Sequence, residues 1–174
     1  MTVATDSYRN LALHNREMNR RLYAIADRMG PDAVHEARGG FFGSIFGGLN
    51  HIVFGDHFIL TRIKRAYGGP SGLDAVADQW DFEPNKTYAG DIGTLLAERT
   101  KIDDALLSFA GALRESDLEK RLEGGGPPAT LWVLLDHLFH HQTHHRGQIT
   151  TLLTQAGVSY GSLENPLEVF LNAP

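Results

Sequence analysis

Four stretches of the chain space their apolar residues at helical intervals, and no stretch alternates long enough to build a sheet. The first covers about residues 7–29, where Leu11, Leu22, Tyr23 and Ile25 stand among arginines and asparagines until Gly30 and Pro31 end it. The second, about 44–67, carries Ile45, Leu49, Ile52, Ile59, Leu60 and Ile63. The third, about 89–114, has a stripe of Ile92, Leu95, Leu96, Ile102, Leu106, Phe109 and Leu113. The fourth, about 130–155, follows "GGGPP" and closes at Gly157. Four helices of this length predict an all-α four-helix bundle, with residues 1–174 as a single domain. Residues 68–88 form a connection far longer than an antiparallel helix hairpin requires. At roughly 3.3 Å per residue such a segment can travel a whole helix. The second and third helices are therefore expected to lie parallel, joined by a long crossover.

Polar residues interrupt the fourth pattern in an unusual way. Residues 136–148 read "DHLFHHQTHHRGQ" and hold five of the nine histidines. With His137 at zero on a helical wheel, the leucines and Ile149 occupy about 60° to 160°. His141 falls near about 40°, His145 near about 80° and Gln148 near about 20°, on or beside that buried stripe. His140 and His144 turn away, and His137 lies on the border. The crowd thus resolves into one inward pair at i and i+4, the spacing at which one helix face offers two imidazoles to a metal. An isolated pair of this kind is usually incidental, and a site needs a third ligand from elsewhere.

The second helix, with "GGLNHIVFGDHFIL", supplies a candidate. The helical neighbours of His51 are Gly47, Gly48, Phe54, Gly55 and Phe58, so it faces apolar, roomy surroundings. His57 shares a stripe with Asn50 and Lys64 and reads as solvated, as do His14 and His35. A lone buried histidine is ordinarily a hydrogen-bonded core residue. Three inward ones on two helices are harder to explain so, because desolvated imidazoles need partners. Asp56 points away from His51 and reads as a surface or interface carboxylate. Arg99, on an apolar stripe, either anchors an anionic substrate or, the favoured reading, pairs with a buried carboxylate. Arg146 suits an interhelical or interface ion pair, and Gln148 a hydrogen-bond partner of a ligand. Trp132 and Phe139, outside the core stripe, suggest a two-fold interface between bundles.

Composition narrows the classes. The net charge of −5 and pI near 6.0 argue against nucleic acid as the main partner. No cysteine is present, so disulfides and thiolate ligands are excluded and a cytoplasmic location is expected. No uncharged apolar run reaches the roughly 18 residues of a membrane span, and the N-terminus has no signal-peptide core.

"LNHIVFGDHFIL" and "LDHLFHHQTHHRGQITTLL" resemble the corresponding helices of the DinB-like (DinB/YfiT) family of small metal-binding bundles. The likeness extends over essentially the whole chain, although "YGSLENP" stands where that family commonly has a Thr-Asp-Leu run. It implies metal ligands at His51, His141 and His145, a divalent ion (zinc or nickel), and frequent homodimers. Relatives of that family include thiol-dependent transferases and isomerases, and others are called metal-dependent hydrolases. Three function classes follow: a metal-dependent enzyme acting on a small molecule or thiol, a non-enzymatic metal- or ligand-binding stress protein, and a bundle with merely structural histidines. No general base stands out in the sequence.

Overall fold

The computed structural model describes residues 3–67, 71–79, 81, 83–124 and 126–163. Four long helices dominate: α1 (Val3–Met29), α3 (Ile45–Tyr67), α4 (Ile92–Ala112) and α6 (Leu131–Gln155). Two short helices, α2 (Pro31–His35) and α5 (Glu115–Leu118), follow α1 and α4, and neither has enough periods to be visible in the sequence pattern. The strands β1 (Arg121–Leu122) and β2 (Ala129–Thr130) pair antiparallel and lead into α6. The α4 boundary moves inward from the expected one because Asp91 caps it, its carboxylate accepting from Thr94 N–H at 2.8 Å.

Residue pairs give the directions. His57 meets Glu98 and Tyr67 meets Phe109, so α3 and α4 run parallel. Arg16 pairs with Asp104 and Asn19 with Asp103, so α1 opposes α4. Gly48 faces Ile149 and Gly55 faces His141, so α3 opposes α6. The bundle is therefore up-down-down-up, and the expected crossover is present between α3 and α4.

That crossover runs back along α3. Val76 and Ala77 meet Lys64 and His57 through their carbonyls, Gln79 N–H donates to Thr61 Oγ1, and Tyr88 N–H donates to Asn50 Oδ1 at 2.8 Å. Leu73 and Val76 are buried beneath it. With α6 on one side, α4 on another and the crossover over a third, α3 is buried nearly all round. Leu163 is buried on the bundle at the end of the described tail, and the last three residues of the "YGSLENP" comparison lie outside the described residues.

The apolar core holds an ionic centre to which all four long helices contribute. Asp56 (α3), Arg99 and Asp103 (α4), Asn15 and Asn19 (α1), and Gln142 and Arg146 (α6) are all buried. Arg99 reaches Asp56 at 2.6 Å and Asp103 at 3.0 Å. Two side-chain amides act as relays. Asn15 donates to Asp103 and accepts from Arg146, while Gln142 donates to Asp56 and accepts from Arg146. Two carboxylates thus balance two guanidinium groups, and each charge has at least one polar partner, while Asp56 Oδ1 and Arg99 Nε have none among the described residues.

Several sequence expectations change here. Asp56 is a core ion-pair partner, not a surface carboxylate, because Arg99 neutralises it. Arg99 takes its favoured reading. Arg146 meets carboxylates only through amides, so it forms no direct ion pair among the described residues. His57 is fully buried: its Nδ1 bonds Ala77 O at 3.0 Å, its Nε2 lies 3.0 Å from Glu98, and its ring stacks on Tyr88. Phe139 is buried under Tyr8 of the same chain, leaving Trp132 as the exposed one of the expected interface pair. His14 is half-buried, whereas His35 is exposed as expected.

Candidate metal centre

His51 comes from the first half of α3, and His141 and His145 from the middle of α6. The glycine face of α3 lets the two helices approach. A Cβ at Gly55 would collide with the His141 ring, and one at Gly48 would press on Ile149. Any larger residue at Gly55 would displace the His141 ring from its place beside His51.

The three imidazoles converge. One nitrogen from each lies within 4.8 Å of the others, and among the described residues this is the one group of metal-ligating side chains so arranged. His51 Nε2 lies 3.2 Å from His141 Nε2. Two ligand nitrogens about 2.1 Å from a shared ion stand about 3.0–3.4 Å apart for right-angled to tetrahedral geometry, so the separation fits. No carboxylate joins the group among the described residues.

Hydrogen bonds on the far ring edges set the tautomers. His51 Nδ1–H donates to Pro84 O at 2.9 Å, and His145 Nδ1–H to Gln148 Oε1 at 2.8 Å. Each leaves Nε2 as the lone-pair nitrogen, the arrangement that metal-ligating histidines use. Gln148 thus fills the supporting role expected of it. His141 Nδ1 is buried with no partner among the described residues, so a ligating His141 would carry an unpaired N–H.

Burial keeps all three rings neutral. His141 is pushed down to about 3, first by desolvation and then by His145 and His51 beside it. Desolvation also lowers His51, against the opposing Pro84 hydrogen bond, and lowers His145 against that of Gln148. Neutral imidazole is the form that binds a cation.

Aromatic rings wall the group. Phe42 stacks on His51 at 3.8 Å between centroids and meets His145 edge-on at 5.4 Å, and Phe54 lies 5.9 Å from His51. Sequence reasoning missed Phe42 and Pro84, which reach the site from loops without periodic pattern. His140 and His144 are exposed, as the wheel indicated, and so is His137, which the wheel placed on the border.

Fold and site together define an up-down-down-up helical bundle carrying a three-histidine group able to hold a metal ion. The DinB family model matches residues 1–171, and the chain belongs to the DinB family. Among solved structures, the crystal structure of a DinB-like protein from Bacillus cereus is similar, with a TM-score of 0.53 at 19% identity. The match covers 83% of this chain and 89% of that one, and it bears on the fold. No curated protein matches the sequence. No described helix is long and apolar enough to cross a membrane.

Proposed function

We propose that the chain binds one divalent ion, zinc or nickel, through His51, His141 and His145 and uses it to activate a small thiol for S-transfer. The observation that carries the metal reading is the pair of Nδ1 hydrogen bonds to Pro84 and Gln148, which leave Nε2 of His51 and His145 unprotonated, together with the 3.2 Å between His51 Nε2 and His141 Nε2. Three neutral donors leave the ion its full charge and at least one open position, and such an ion lowers the pKa of a bound thiol or water.

Thiol chemistry is favoured over hydrolysis by what surrounds the group. A hydrolase normally keeps a carboxylate or histidine base beside the attacking water. Asp56, close in sequence to His51, is occupied by Arg99 and Gln142 in the core. Gln148 has no useful proton affinity, Phe42 and Phe54 form further walls, and the neighbouring His144 and His137 rings, 4.9 Å from His145 and 6.0 Å from His141, are exposed to solvent. An aromatic setting disfavours hydroxide more than a soft, weakly hydrated thiolate. The chain has no cysteine, so the thiol must come from a small molecule.

Elemental analysis of untagged protein tests the first half, with about one ion per chain expected. Metal-loaded protein is then expected to conjugate a model electrophile with a small thiol, and His145→Ala is expected not to. Metal uptake without turnover of thiols or esters would favour a non-enzymatic binding role.

A further inference from the structure

The face of α6 that carries His141, His145 and Gln148 continues past the histidine group. Thr151, Leu152 and Gln155 follow at helical spacing and, with Ile149, line a groove of about 280 Å³. The loop of residues 38–44 forms its other wall, and Gly48 of α3 also lines it. Phe42 belongs to both places, lining the groove while its ring stacks on His51. From His145 to Leu152 the helix rises about 10 Å.

The groove has an apolar body and a cationic end. Ile149, Leu152 and Phe41 supply the first. Arg38 supplies the second. Its side chain is 14% exposed, and its single side-chain partner is Glu36 Oε2 at 2.5 Å. The Arg38 Nε atom is buried and has no acceptor among the described residues. An unpaired buried N–H is costly, so the guanidinium is short of acceptors, and its solvent-facing N–H groups suit a carboxylate. Glu36 is 61% exposed, so its hold on Arg38 is screened by water.

The loop is built to keep Arg38 in place. Arg38 N–H donates to Gly43 O at 2.9 Å, and Gly43 N–H donates to Gly40 O at 2.8 Å. Gly39 and Gly43 adopt φ of 72° and 79°, which residues with a Cβ rarely do. A Cβ at Gly40 would press on Leu152 at 3.2 Å, so the turn lies directly on α6.

We propose that this groove binds a small amphipathic carboxylate. The carboxylate sits on Arg38, the apolar body lies along Ile149 and Leu152, and the far end passes Phe42 toward the histidine group. That last orientation rests on the metal reading above, whereas the Arg38 contact does not.

The test uses the full chain, metal-free and metal-loaded, with octanoate and octanol as calorimetric probes. Octanoate is expected to bind both forms at least about tenfold more tightly than octanol, the worth of one charge-assisted contact. Arg38→Gln, with unchanged circular dichroism, is expected to erase that preference and leave octanol binding as it was. Glu36→Gln is expected to strengthen octanoate binding. Failure of both probes to bind overturns the proposal, as does equal affinity for them or a preference that survives Arg38→Gln. Octanoate binding to a chain that takes up no metal upholds the carboxylate site while removing the metal reading. For the orientation, 8-mercaptooctanoate added to cobalt-loaded protein is expected to give a sulfur-to-metal charge-transfer band. Its absence from protein that binds octanoate overturns that orientation.

Discussion

Gln142 donates a hydrogen bond to Asp56, and both side chains are wholly buried between α6 and α3. One residue before Gln142 stands His141, and five before Asp56 stands His51. The contact therefore fixes the rotation of α6 on α3 at the level where the imidazoles meet. The core ionic centre and the candidate metal centre are two faces of one helix–helix seam.

Removing one charge from that centre strands the others. Asp56→Ala leaves Arg99 with Asp103 alone and Gln142 without its acceptor. A loss of about 3–5 kcal/mol in unfolding free energy is expected from denaturant titration. A change below about 1 kcal/mol would mean that Asp56 is not paired in solution.

The metal assignment separates neighbours on one helix. His141→Ala is expected to abolish stoichiometric binding in equilibrium dialysis, and His140→Ala to leave it intact. His57→Gln is expected to lower stability, through loss of the Ala77 and Glu98 contacts, while the ion is retained. Equal metal loss in all three variants would sink the ligand set.

Gly55 offers a steric test without touching a donor. In a helix interior, Gly→Ala ordinarily stabilises by about 1 kcal/mol. Here the added Cβ meets the His141 ring. Gly55→Ala is expected to weaken metal affinity at least about tenfold and to forfeit the usual gain in stability. Unchanged affinity would show that the helices do not approach so closely.

The depressed His141 predicts an acid-side loss of stability in metal-free protein. Its folded value of about 3 lies below the ordinary imidazole value of 6.5, so the unfolded chain binds more protons between those limits. The stabilising contribution is full above pH 6.5 and falls as acid is added. Between pH 7.5 and 5 the wild type is expected to lose about 2 kcal/mol more than His141→Leu. Coincident pH profiles for the two proteins would refute the assignment. Buried Asp103, raised to about 6, acts in the opposite sense, but it is common to both proteins and cancels in the comparison.

The surface left for the expected two-fold interface is smaller than the wheel suggested. Phe139 is internal, but Trp132 is 41% exposed, Val133 38% and Val3 90% at the same end of the bundle. A homodimer through this face is expected by light scattering, with Trp132→Glu shifting it to monomer. A wild-type monomer at micromolar concentration would dismiss the interface.

Helical periodicity alone determined the four long helices and selected His141, His145 and His51 over the exposed His137, His140 and His144. Periodicity reports which face of a helix is apolar, and α6 has one such face. The length of residues 68–88 likewise determined the crossover, since a shorter chain could not return along α3. Tertiary structure decided the rest. On α3 the wheel could not distinguish a solvated face from one covered by a loop, and the crossover covers His57 with the Ala77 carbonyl. Asp56 looked exposed because its partner Arg99 lies 43 residues away on a parallel helix. Phe42 and Pro84 reach His51 from segments with no period to read. A charge is cheap to bury only when its counter-charge arrives from another element, and no local pattern announces that arrival.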